Sequence, residues 1–236
     1  MKTFLFLSLL SFSGIISAIN PTEENVPEYR IPLVRDTEIT LDGIRNEECW
    51  NKAYKITQFM NPWNQQVNPS TVVELFYNGN DLYFFFQATD KDIVITEPYS
   101  NKMDVVNEDR VELFFSKDMD LSSYYGFEMD PEGRILDYQC TYYRKFNYNW
   151  TAGDGIRVKT HKTSTGYAVE GCITKDLLDF MTGDKLSFYW GAYRAEYSRG
   201  DNGKLIDEWQ CIRNPKTKAP DFHLPSSFSK MILGSN

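Results

Sequence analysis

Thr71-Val72-Val73-Glu74-Leu75-Phe76-Tyr77-Asn78-Gly79-Asn80-Asp81-Leu82-Tyr83-Phe84-Phe85-Phe86-Gln87-Ala88-Thr89 is the stretch on which the fold turns. Two apolar runs, rich in β-branched and aromatic residues, flank four residues that tolerate the positive φ of a tight turn. That arrangement predicts a β-hairpin. The second run is apolar on both faces from Leu82 to Phe86, as expected of a strand buried between layers. Outward from this pair the pattern repeats. A second hairpin is expected between 124–129 and 134–143, around Asp130-Pro131-Glu132-Gly133. Further strands are predicted over 37–41, 110–116, 156–161, 167–173, 186–197, 205–212 and 228–233. Two short helices are expected, over 46–54 with Asn46 as cap and Trp50 turned to the core, and over 174–180 with Thr174 as cap. Short strands divided by turn residues indicate an all-β fold, an antiparallel β-sandwich with one or two short helices.

The chain of 236 residues divides simply. Lys2 precedes an apolar run over 4–16 that closes on Ser17-Ala18, the pattern of a secretory signal peptide cleaved after residue 18. Residues 19–36 read as an extended segment, and 37–236 as one domain. An extracytoplasmic location is expected: secreted, periplasmic or attached at the cell surface. No later run is long enough to span a bilayer, so no membrane insertion is expected. The formal charge of −8 disfavours nucleic acid, whose binding depends on clustered Lys and Arg. Cys49, Cys140, Cys172 and Cys211 have no zinc-site spacing. An exported chain could pair them in three ways or bury them as free thiols, and both readings stay open.

Strand alternation sorts the polar residues onto faces. Arg110, Glu112 and Phe114 oppose Val111, Leu113 and Phe115, and Glu128 opposes Phe127 and Met129. Glu170 opposes Val169, and Arg194 shares a face with Glu196. If these strands are neighbours, one sheet face carries Arg110, Glu112, Glu128, Glu170 and Arg194. Carboxylates that accept and a guanidinium that donates in fixed directions suit the hydroxyls of a sugar. The plain alternative is a solvated face with loosely paired charges.

Several short motifs occur in a fixed order: Leu41-Asp42-Gly43, Trp50, Asn80-Asp81-Leu82-Tyr83 leading to Asp90, and Glu108-Asp109-Arg110-Val111-Glu112. Gly166-Tyr167-Ala168-Val169-Glu170, Trp209, and Phe222-His223 with Pro225 and Phe228 follow. Together they resemble the family 9 carbohydrate-binding module and its relatives over most of the chain. The resemblance implies a noncatalytic sandwich that binds a polysaccharide or oligosaccharide, alone or beside polysaccharide-degrading enzymes. It implies a sugar ring clamped between two aromatic plates with charged groups at its hydroxyls. Glu112 matches the family's carboxylate, Phe222 falls at one stacking position, and Val106 stands where sugar-binding members carry the other ring. Glu128 stands where they can carry a basic residue. Arg110 and Arg194 are further candidate contacts, and Trp63, in Asn61-Pro62-Trp63-Asn64, is a candidate loop ring. Trp190 and Trp209 are expected in the core. No cofactor is required. A structural calcium ion is compatible with the family, with Asp90, Asp92 and Asp104 as loop carboxylates that match no known calcium loop.

Pairs among Glu112, Glu128 and Glu170 could act as acid and base in a glycoside hydrolase if their carboxyl groups lay at the separations that chemistry needs. A noncovalent haem site could use His161 or His223 with Met129 or Met231, although core packing is the ordinary role of such methionines.

Overall fold

The expected hairpin forms with Tyr77 opposite Leu82. The computed structural model describes residues 26–35, 38–64 and 70–235, so the apolar leader lies outside the described residues. Its strands are β1 (Glu28–Pro32), β2 (Tyr54–Ile56), β3 (Thr71–Tyr77), β4 (Leu82–Thr89), β5 (Arg110–Ser116), β6 (Tyr124–Met129) and β7 (Ile135–Thr141). They continue with β8 (Lys145–Asn147), β9 (Ile156–Thr163), β10 (Gly166–Ile173), β11 (Ser187–Arg199), β12 (Leu205–Cys211) and β13 (Ser229–Ser235). One α-helix, α1 (Lys175–Thr182), follows β10 and ends at Gly183 in the left-handed conformation.

Two sheets face each other. The larger runs β1-β13-β11-β5-β6-β7-β8 with β12 also on β11, and the smaller runs β2-β3-β4-β10-β9. Neighbours are antiparallel except β1, which lies parallel to β13. The segment expected to precede the domain therefore contributes an edge strand to it. Between the sheets Val73, Phe84, Phe86, Leu113, Phe115, Phe127, Val169 and Trp190 form the main core. No helix among the described residues is long and apolar enough to cross a membrane.

Some boundaries differ from expectation. Residues 38–41 form no strand, because the chain there is tied by its turn: the Asp42 and Gly43 amides both donate to Glu170 Oε2 at 2.9 Å. The predicted helix over 46–54 is only a 3-10 turn, Glu48–Lys52, entered from Glu47, though Trp50 is buried as expected. All four cysteines are free thiols, three of them buried.

The outer face of the larger sheet is not solvated. Phe114, Tyr124, Leu136, Tyr138, Tyr193, Phe222 and Phe228 form a second apolar layer there, under the segment that runs back from β12 to β13. Every residue of β5 is consequently buried. Glycine at 126 makes room in this layer, since a Cβ there would meet the Tyr138 ring at 2.4 Å. With Tyr138 laid over it, the Tyr138 hydroxyl donates to Glu128 Oε1 at 3.0 Å.

Candidate functional site

The cleft opens where this second layer is incomplete. Its volume is about 250 Å³, and Arg110, Glu112 and Glu128 lie along it with Val106, Arg144, Phe146, Tyr148, Tyr197, Trp209, Asp221, Phe222 and His223. Sheet register brings the charged residues together. Glu112 of β5 sits directly across from Glu128 of β6 and from Tyr193 of β11. Like charges placed opposite one another repel. Arg110, two residues earlier on the same face, resolves this: its Nε lies 2.6 Å from Glu128 and 3.0 Å from Glu112. These are charge contacts without linear hydrogen-bond geometry. Arg110 Nη1 donates to the carbonyls of Val106 at 2.8 Å and Glu108 at 3.2 Å, and the guanidinium lies 5.3 Å from the Trp209 ring.

Glu112 Oε1 takes no hydrogen bond from the described residues, although Glu112 is only 2% exposed. Burial, and next the Glu128 charge, push its carboxyl up to about 8, while Arg110 opposes them. Near neutrality Glu112 thus holds a proton beside the Arg110 cation. His223 lies beside it with Nδ1 2.9 Å from the Tyr124 hydroxyl and its ring stacked on Phe114. Burial, then Arg144, hold it down at about 3, so the imidazole is neutral. At the mouth Arg144 Nη1 pairs with Asp221 Oδ1 at 3.2 Å.

The structure regroups the residues singled out in the sequence. Arg110, Glu112 and Glu128 share one face, as expected. Arg194 does not join them. It pairs with Val111, so it faces the interior together with Glu196, while Tyr193 takes the position beside Glu112. Glu170 belongs to the other sheet, where it holds the turn at Gly43. Phe222 borders the cleft but is no open plate: it is 4% exposed and stacked on Tyr193 at 4.2 Å and 15°. Trp63 leans on Phe222 at 5.7 Å and donates Nε1 to the Thr217 carbonyl, serving as a half-buried anchor. Trp209, expected in the core, is instead half-buried at the cleft wall with Nε1 on Asp207.

Arg144 and Phe146 escaped the sequence reading because the short edge strand β8 and the turn before it carry no long apolar pattern, and Asp221 because it lies in irregular chain after β12. Among them, Phe146 stacks on Tyr148 at 5.2 Å and 8°. The haem pairings fail on geometry: Met129 and Met231 pack between the sheets, His223 lies in the outer layer, and His161 is exposed on β9. Asp90, Asp92 and Asp104 do not converge either. Asp92 pairs with Arg199, and Asp104 caps a 3-10 turn through the Ser100 and Asn101 amides. Asp90 approaches Asp109 and Glu196 instead, with Arg194 Nη2 in contact with both Asp90 and Glu196. A guanidinium thus supplies positive charge to that cluster.

A two-sheet sandwich with a lateral cleft of fixed charges and aromatic walls defines a binding module. Residues 41–235 match the family described as Carbohydrate family 9 binding domain-like, and the chain belongs to that family. Membership makes it a binding module rather than a catalyst. No curated protein matches the chain significantly. Among solved structures, one from Bacteroides uniformis ATCC 8492, provisionally described as carbohydrate-binding, is similar at 13% identity and a TM-score of 0.61, over 88% of this chain and 99% of that one. A family 9 carbohydrate-binding module from Caldicellulosiruptor kristjanssonii is similar in its cellotriose complex (16% identity, TM-score 0.54, 88% and 95% covered). It is similar also in its glucose complex (16%, 0.52, 89% and 97%). At such identities the likeness is one of fold.

Proposed function

We propose that the protein is an exported glycan-capture module, which holds a sugar unit of a poly- or oligosaccharide in the cleft and so positions polysaccharide for breakdown by partner enzymes. The observation that carries this reading is Glu112, a cleft-lining acid whose Oε1 has the charge of Arg110 beside it but no hydrogen bond, within aromatic walls. A buried polar group that lacks a hydrogen bond is costly even beside a charge, and a sugar hydroxyl would relieve that cost. Glu128 and Arg110 offer an acceptor and donors beside it. Trp209, Phe146 and Tyr148 offer ring surface to the apolar C–H face of a pyranose. Export rests on the leader ending at Ser17-Ala18. The related modules bound to cellotriose and glucose supply the first ligands to try.

Calorimetry of the processed protein against glucose, xylose, mannose and galactose and their β-linked oligomers tests this. Binding is expected for at least one series, with Glu112→Ala and Trp209→Ala each weakening it by about tenfold, the scale of one lost hydrogen bond or stacked ring. Silence across the panel would overturn the proposal. Binding needs no metal on this reading, so dialysis against a chelator should leave the measured affinity unchanged.

A further inference from the structure

The cleft has an unexplained neighbour. The turn joining β7 to β8 carries Tyr142 and Tyr143, exposed at 48% and 47%, and Tyr148 just beyond β8 is 36% exposed. Rings of this size usually hide, and a cluster left in solvent marks a contact surface. These three are also held in place. The Tyr142 amide donates to the Leu121 carbonyl at 3.0 Å, the Tyr143 hydroxyl donates to Asp221, and Tyr148 lies flat against Phe146. Tyr142 and Tyr143 lie 5.5 Å apart, ring to ring. Asp221, Arg144, Phe146 and Tyr148 all line the cleft, and the tyrosine turn borders it through Tyr143, bonded to Asp221 and next in the chain to Arg144.

We propose that Tyr142 and Tyr143 form an outer subsite for a second and third sugar unit, making the ligand an extended oligosaccharide chain rather than a single sugar. The inference rests on the glycan reading of the cleft. Tyrosine suits the role because its ring stacks on a sugar's C–H face while its hydroxyl stays wet, and it loses little side-chain freedom on binding. The Tyr143–Asp221 hydrogen bond fixes one ring before the ligand arrives, which lowers the cost of binding. An acidic chain leaves phosphate-bearing polymers a poor fit for the same rings.

The experiment titrates one sugar and its di-, tri- and tetrasaccharides, in the glucose, xylose, mannose and galactose series, into wild type, Tyr142→Ala/Tyr143→Ala and Tyr143→Phe. Affinity should rise with chain length up to three units. The double variant should lose about tenfold on the trisaccharide, the scale of lost aromatic contacts, and much less on the single sugar. Tyr143→Phe keeps the ring and should retain most of the gain. Affinity independent of length, or a length gain that survives in the double variant, overturns the outer subsite while leaving the cleft in place. If no series binds, the cleft reading itself has failed and the subsite falls with it.

Discussion

Glu112 and Glu128 face each other across neighbouring strands with a single guanidinium between them, and proton uptake completes the balance. The folded protein holds the Glu112 proton to about pH 8, whereas the unfolded chain releases it near the usual glutamate value. Folded protein thus binds the extra proton between those limits, and stability falls as pH rises through them. Glu196 at about 8 and Asp109 at about 7 act in the same direction. His223, held at about 3, acts oppositely: its contribution is lost as pH falls below 6.5, and above that it is neutral in both states. Melting temperature measured from pH 6.5 to 8.5 should therefore decline for wild type and decline less for Glu112→Gln, which mimics the protonated acid. Equal slopes would show that Glu112 is ionised throughout. Phe222, packed against Tyr193, Trp63 and Trp209, is by contrast a packing residue first. Phe222→Ala should cost about 3–5 kcal/mol in urea denaturation. The sequence placed Arg110, Glu112 and Glu128 correctly because a period of two is unambiguous inside one strand. It could not show that Phe222 is covered, since the covering rings come from three distant segments.

At the scale of elements, legibility followed local chemistry. The hairpin of β3 and β4 was plain because apolar runs and turn residues agree. The strands β1, β2 and β8 were missed because they are short or polar and owe their state to neighbours already in a sheet. Face assignment failed for Arg194 for a related reason. Both faces of β11 are buried, so apolar alternation carries no information about which is inner. The turn after residue 41 shows the opposite case, where one residue type is dictated. Gly43 has φ +82°, and a Cβ there would lie 2.5 Å from the Thr160 carbonyl carbon. Gly43→Ala should therefore destabilise the fold by at least about 1–3 kcal/mol from the left-handed backbone alone, before the clash is added. Denaturant midpoints would register it, and an unchanged midpoint would mean that the turn is free to move.

Taken whole, the molecule is two sheets that must be held together at the cleft end, where the apolar filling gives way to charge. Arg194 does this from the larger sheet: Nη1 donates to the Thr89 carbonyl at 2.9 Å and to Thr71 Oγ1 at 3.3 Å, and Nη2 meets Asp90 just past β4. The neighbouring Asp109 accepts the Tyr197 and Val94 amides, and the Tyr197 hydroxyl reaches the Val106 carbonyl at the cleft wall. The clasp between sheets and the wall of the cleft are thus one connected network. Removing a buried cation strands its carboxylates, so Arg194→Met should cost about 3–5 kcal/mol at pH 9, where Glu196 and Asp109 are ionised in the folded protein. Because Glu196 and Asp109 take up protons on acidification, and do so at higher pH once the guanidinium is gone, that deficit should shrink as the pH is lowered from 9 toward 7. Paired denaturation curves of wild type and variant across that range decide the matter: a deficit that narrows identifies charge as the clasp, and one that stays constant identifies the side chain's bulk.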